Sequence, residues 1–179
     1  MSGIAEIAQQ PTALAALTLA LAAAATDLRS RTVPNGLVAA GAAVGLLLNC
    51  FEAGMPGGAR SVLGAVAGLA VFLPFYLLGG MGGGDVKLMG ALGACVGPMP
   101  ALKMAVAAAA AGAVLAIVVA AKRGVLARTL SGARRLMGSW LRRGPRPDPE
   151  LTLENPQALT IPYALPIAAG ALLIAATGM

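Results

Sequence analysis

Long apolar stretches constrain this chain of 179 residues more than any other feature. Six of them can be marked, at about 12–26, 34–51, 61–79, 86–97, 99–121 and 158–178. A helix that crosses a bilayer needs ~20 apolar residues, and most of the stretches approach that length. With 58% of residues hydrophobic and 11% charged, the chain lacks the polar surface that a soluble domain needs. The pattern predicts an all-α, polytopic membrane protein with a single domain over 1–179.

The positions of the basic residues predict the orientation of these helices. Arg29 and Arg31 follow the first stretch, and most of the remaining basic residues lie in the loop at about 122–157. By the positive-inside rule both loops are cytoplasmic, which requires an even number of crossings between them. The short fourth stretch must therefore cross, which predicts six transmembrane helices and an N-terminus and C-terminus outside the cytoplasm.

The first apolar stretch has an alternative interpretation as a cleaved signal peptide. A signal peptide normally begins with a positively charged region. Here the only charged side chain ahead of the stretch is Glu6. We therefore expect this stretch to be the first membrane span.

The basic loop contains an amphipathic segment, "LARTLSGARRLMGSWLRR", at 126–143. Its apolar residues recur at helical spacing, and arginines occupy the opposite face. Those apolar residues are Leu126, Leu130, Ala133, Met137, Trp140 and Leu141. This pattern predicts a cytoplasmic interfacial helix that binds anionic lipid headgroups. A nucleic-acid patch is the alternative, and the lack of aromatic stacking positions disfavours it. The turn-rich segment that follows carries Asp148, which is expected to be a solvated acid.

Two other aspartates, Asp27 and Asp85, fall at the same predicted membrane face although 58 positions separate them. Carboxylates at a membrane boundary are costly and often functional. Two close carboxylates share one proton, so that one activates water while the other polarises a peptide carbonyl, as in aspartic proteases. The alternatives are helix-end or ion-pair roles, a proton relay in a small transporter, and a non-catalytic scaffold. A Ser30–Lys87 pair is a further, weaker option.

The absence of histidine narrows the possible chemistries. The chain has no histidine, and its two cysteines, Cys50 and Cys95, are isolated in sequence. Serine–histidine catalysis and the usual zinc sites are thereby excluded, and no metal and no cofactor is expected. Both thiols are expected to be free and buried, with a disulfide at the outer face as the alternative.

The glycine run beside Asp85 predicts a backbone that another chain can approach closely. Gly82, Gly83 and Gly84 have no Cβ and tolerate positive φ. A phosphate loop is excluded because no Gly-Lys-Ser/Thr follows and Asp85 would repel phosphate. An extended peptide substrate fits this segment better than an anion.

Three segments together resemble the type IV prepilin peptidase family. They are "TDLRSRTVPN" (26–35), "GMGGGDVKLMGALG" (80–93) and "IPYALPIAAG" (161–170). The resemblance implies an aspartic peptidase with a Gly-x-Gly-Asp motif, in which Asp27 and Asp85 are the catalytic pair. It implies a prepilin or pseudopilin precursor as substrate, cut behind its short basic leader at the cytoplasmic face of the bacterial inner membrane.

The same resemblance suggests a subtype. The larger members carry a cysteine-containing cytoplasmic domain after their first helix and also methylate the new N-terminus. This chain has only a short connection there, so peptidase activity without methylation is expected. Its small size resembles the peptidases of Flp-type, tight-adherence pili, with competence and secretion pseudopilins left open as substrates.

Several motif residues are assigned supporting roles. Pro34 and Asn35 are expected to form a turn that begins the second helix and positions Asp27. Lys87 either orients Asp85 or the substrate carbonyl, or extends to the headgroups. Pro162 and Pro166 are expected to kink the last helix, and Tyr163 either lines the site or simply packs.

Overall fold

A computed structural model describes residues 10–144, 146 and 161–177, and these form an all-α protein. The described residues form six helices, and three of these, α1, α2 and α4, are long and apolar enough to cross a membrane. The all-α prediction is confirmed, whereas six separate crossings are not shown. The helices are α1 (Pro11–Ser30), α2 (Asn35–Leu77), α3 (Gly83–Val96), α4 (Pro98–Lys122), α5 (Leu126–Arg143) and α6 (Ala164–Ala176).

The 43-residue α2 is a helical hairpin. Its backbone leaves helical geometry at Ala53 and Gly54, where Gly54 has a φ of 60° and a ψ of −140°. Gly45 and Gly64, on either side of this bend, both pack against the end of α3. Nineteen residues of straight helix would separate them by ~28 Å, so the chain reverses at the bend. The arms, 35–52 and 55–77, correspond to the second and third apolar stretches, and the loop expected between them is reduced to a two-residue bend.

Close backbone contacts hold the hairpin against α3. A Cβ on Gly64 would overlap the carbonyl oxygen of Gly93, and a Cβ on Gly93 would overlap that of Gly64. Farther along the second arm, a Cβ on Gly68 would overlap the carbonyl oxygen of Met89. Glycine is therefore required at these positions, because any side chain would force the two backbones apart.

The short α3 ends with its carbonyl groups satisfied by side chains. Asn49 donates hydrogen bonds to the carbonyls of Ala94 (3.2 Å) and Cys95 (2.9 Å). Ser61 donates to Ala94 at 2.8 Å, and Arg60 donates to Val96 at 3.1 Å. A helix of 14 residues is ~21 Å long, less than the ~30 Å hydrocarbon core. These bonds allow it to end in apolar surroundings without unpaired carbonyls.

Four helices form a ring around the end of the bundle where Asp27 and Asp85 lie. Helix α1 packs against α3 and α6, and α4 packs against the same two helices. The α2 hairpin packs against α1, α3 and α4.

Helix α5 has the bounds that the amphipathic pattern predicts. Its apolar side chains are exposed, with Leu130 at 53%, Met137 at 64% and Leu141 at 83%. The indole N–H of Trp140 donates to the carbonyl of Arg146 at 3.1 Å. The helix is confirmed, whereas its position at a membrane surface stays a prediction. Asp148 and the rest of 147–160 lie outside the described residues.

Candidate active site

Asp27 and Asp85 line one cavity of about 440 Å³. Asp27 belongs to the last turn of α1 and is 7% exposed, while Asp85 belongs to the first turn of α3 and is half-buried. The structure therefore brings together the two acids that the sequence singles out, although their catalytic role stays a prediction. The other lining residues are Arg31, Gly80, Met81, Gly82, Gly112, Ala116, Ile161, Pro162 and Tyr163.

Asp27 accepts a hydrogen bond from the start of α6. The backbone N–H of Ala164, the first residue of that helix, lies 3.3 Å from Oδ2 of Asp27. A helix N-terminus carries partial positive charge and favours a carboxylate beside it. Ile161, Pro162 and Tyr163 precede α6 and line the same cavity. All three sequence segments thus meet at one site. Pro162 lies ahead of the last helix and does not kink it, which corrects that expectation.

The surroundings of Asp85 favour a bound proton. Its carboxyl group precedes the apolar stretch that begins at 86. The pKa of Asp85 is raised from 3.8 to about 6, chiefly by burial and also by the negative charge of Asp27, while a backbone hydrogen bond with Gly82 acts in the opposite direction. Two carboxyl groups that interact in this way titrate as a pair, so one proton is retained to a higher pH than an isolated aspartate allows.

The glycine run at 82–84 does not have the positive φ that its glycines would tolerate. Gly82 has a φ of −74°, and the residue of this segment with positive φ is Gly79, at 75°. A Cβ on Gly82 would lie 3.2 Å from Oδ2 of Asp85, and one on Gly84 would lie 3.5 Å from the side chain of Val33. The left-handed turn therefore lies three residues earlier than the expectation for Gly82–Gly84 places it.

A hydrogen bond joins the two segments that follow the aspartates. Nζ of Lys87 donates to Oδ1 of Asn35 at 3.2 Å, and both side chains are exposed. Pro34 is the N-cap residue of α2, as the expected turn requires. These three residues, and Gly84, do not line the cavity. Their supporting roles stay predictions.

Some cavity residues, among them Arg31 and Gly112, were not singled out by sequence reasoning as part of the site. Arg31, treated only as a topology signal, ends α1 in the left-handed region with a φ of 52°. Gly112 on α4 lies against the ring of Tyr163. The isolated glycine in the run "AAAAAGAV" is the signal that could have indicated a close approach on α4.

The two carboxyl groups in the cavity can support acid–base chemistry. Among the residues that the structure describes, no three His, Cys, Asp or Glu side chains are grouped as metal ligands would be. The expectation of no metal and no cofactor stays a prediction.

The thiol of Cys95 is free and buried as expected, whereas Cys50 is free but exposed, which corrects the expectation for that residue.

Comparison with known proteins identifies one family. The family model described as type IV leader peptidase, peptidase family A24, matches residues 14–117, which is more than half of the chain. The match includes Asp27, Asp85 and Gly112 and ends before α5. No curated protein and no solved structure matches the chain.

Proposed function

The chain belongs to the type IV leader peptidase family and is thus a prepilin leader peptidase, and from this premise we propose that Asp27 and Asp85 are its catalytic pair. The observation that carries the proposal is the shared cavity, which both carboxyl groups line from different helices. The substrate is a pilin-like precursor, and the bond cut is the peptide bond behind its short basic leader.

The two carboxyl groups divide the work of hydrolysis. The ionised one takes a proton from water, and the water oxygen attacks the carbonyl carbon of the scissile bond. The protonated one donates a hydrogen bond to the carbonyl oxygen, where negative charge develops. When the tetrahedral intermediate collapses, the C–N bond breaks and the leaving amine takes up a proton from the pair.

The segment 79–84 is proposed to admit the extended backbone of the leader. It lies at the cavity beside Asp85, and a side chain at Gly82 would crowd the carboxyl group of Asp85. A peptide bond must approach the pair to within hydrogen-bond distance for the chemistry to occur. A larger side chain at position 82 would keep the scissile peptide bond away from the pair.

We propose six crossings, made by α1, the two arms of α2, α3, α4 and α6. With α2 reversed, the end of α1, both ends of the hairpin and the start of α3 lie on one side. The end of α4 and the basic α5 lie on that side too, which supports a cytoplasmic site in a bacterial inner membrane. The N-terminus and C-terminus then lie on the opposite side.

We propose that the enzyme cleaves without methylating its product. The connection between α1 and α2 spans only residues 31–34, which leaves no room for a cysteine-containing domain there. This small form is proposed to serve Flp-type, tight-adherence pili.

The decisive experiment is to co-express the protein with a candidate pilin precursor and measure the mass of the product. We expect the precursor to lose its leader and gain no methyl group. The competing interpretation is a proton-coupled transporter that uses the same acids as a relay. The transporter interpretation is supported instead if no precursor is shortened and the purified protein in vesicles dissipates a proton gradient.

The pH profile of the purified enzyme tests the shared proton. The pKa of Asp85 is raised to about 6, so the pair keeps its proton below that pH and loses it above. We expect kcat/KM, which reports the free enzyme, to fall by about tenfold per pH unit once the pH exceeds this pKa. A rate that is constant from pH 5 to 8 contradicts the assignment.

We also propose that α5 lies on the anionic lipid surface beside the site. Its apolar face is exposed and its opposite face carries arginines, each worth ~1 kcal/mol near such a surface. Trp140 is the only tryptophan of the chain, so its fluorescence reports this helix alone. In nanodiscs of anionic lipid, brominated acyl chains should quench it, and Arg128→Gln with Arg142→Gln should weaken the quenching. Absence of quenching contradicts the proposal.

A further inference from the structure

The ring of Tyr163 is held between two helices. It makes an edge-to-face contact with Phe72, with ring centroids 5.8 Å apart and planes at 81°. Phe72 is 1% exposed and belongs to the second arm of α2. Such an aromatic pair contributes ~0.5–1.5 kcal/mol beyond its buried area and has a defined geometry.

The ring of Tyr163 also contacts α4. A Cβ built on Gly112 would lie 2.8–3.0 Å from three atoms of the Tyr163 side chain, including its hydroxyl oxygen. The ring therefore occupies the space that a side chain at position 112 would need. Phe72 and Gly112 thus contact the ring from two different helices.

The backbone of Tyr163 connects these ring contacts to Asp27 of the proposed pair. Tyr163 is the N-cap residue of α6, and its carbonyl accepts the N–H of Ile167 at 3.2 Å. The next residue, Ala164, donates its N–H to Asp27 at 3.3 Å. Because these groups are adjacent in the chain, a displacement of the ring would displace the donor to Asp27.

We propose that Tyr163 is a positioning residue, whose ring, seated between Phe72 and Gly112, holds the start of α6 so that the Ala164 N–H meets the carboxylate of Asp27. This role rests on the proposed function for its effect on rate. It concerns the ring and the backbone of Tyr163 rather than the phenolic hydroxyl.

A spectroscopic test follows Asp27 directly and needs no substrate. The chain has three aspartates, Asp27, Asp85 and Asp148, so aspartate labelled with ¹³C at the side-chain carboxyl yields three assignable signals. Asp27→Asn and Asp148→Asn identify them. We expect Tyr163→Phe to leave the Asp27 signal in place and Tyr163→Leu to move it, because the hydrogen-bond donor shifts.

The kinetic test separates positioning from direct catalysis. We expect Tyr163→Leu to lower kcat by about 10–100-fold with little change in KM, since a 1 Å misplacement has costs of this size, and Tyr163→Phe to lower it much less. Gly112→Ala, which pushes the ring without altering the polar groups of the cavity, should act in the same direction. Ala113→Val, on the exposed side of α4, is the matched control and should behave as wild type.

Specific outcomes overturn the proposal. If Tyr163→Phe loses as much activity as Tyr163→Leu, the hydroxyl acts on the reacting atoms and the positioning role is wrong. If Tyr163→Leu and Gly112→Ala both leave the Asp27 signal unmoved, the coupling to Asp27 is absent. A moved Asp27 signal in a protein that cleaves no precursor would instead support the positioning role and contradict the proposed function.

Discussion

Asp27→Asn and Asp85→Asn are each expected to reduce leader removal by about 10²–10⁴-fold, the contribution of a positioned acid or base. An asparagine can neither take a proton from water nor give one to the leaving amine. Both substitutions keep the side-chain size, and an amide oxygen at position 27 can still accept the Ala164 N–H. The measurement is the rate of precursor cleavage by purified variants, followed by mass.

Two controls make this result interpretable. The third aspartate, Asp148, is the matched substitution, and Asp148→Asn should cleave at the wild-type rate. The double variant Asp27→Asn with Asp85→Asn should be no slower than either single variant, because residues that act as one unit are not additive. If either single variant folds normally and still removes the leader at the wild-type rate, the proposed pair is wrong.

Gly64→Ala and Gly93→Ala are expected to destabilise the protein strongly. Each would place a Cβ on the carbonyl oxygen of the other residue, where backbone meets backbone and no flexible side chain can move aside. Overpacking of this kind costs about 1–3 kcal/mol or more, which corresponds to a fall in Tm of about 2–12 °C. Thermal unfolding in detergent measures it, and activity should fall as well, since α3 carries Asp85.

Gly138→Ala is the matched control for this prediction. Gly138 lies within α5, and a Cβ there would meet no heavy atom within 4 Å. Replacing a helical glycine by alanine in open space is expected to stabilise by up to ~1 kcal/mol. If Gly64→Ala is tolerated as well as Gly138→Ala, the close contact between α2 and α3 is not required for folding.

Local patterns predicted the elements of this protein well. The 3.6-residue periodicity of 126–143 placed α5 at its observed bounds, because that signal depends only on residues three and four apart. Hydropathy located the apolar helices for the same reason. The prediction was less accurate at 52–60, where the chain reverses through Ala53 and Gly54 without leaving a loop. Gly54 supplies the positive φ of the bend, and the Pro-Gly-Gly run at 56–58 marks a break in the sequence without telling how short the connection is.

The sequence predicted that Asp27 and Asp85 lie together, but it did not predict the contacts around them. Asp27 and Asp85 stood out because carboxylates are rare and costly at a membrane boundary. The contacts of Tyr163 with Phe72 and Gly112 have no comparable signal in the sequence, since aromatic and glycine residues are ordinary in apolar helices. Its contribution depends on which helices are neighbours.

The sequence by itself therefore determined the α-helical membrane class, the order of the helices and the chemistry available to a chain without histidine. These follow from composition and short-range periodicity, which act on each segment separately. Only the tertiary structure decided that α2 folds back on itself, that Asn49, Ser61 and Arg60 satisfy the end of the short α3, and that the start of α6 meets Asp27 across 137 positions of sequence. Those contacts depend on how whole helices pack against one another, and no local pattern encodes that packing.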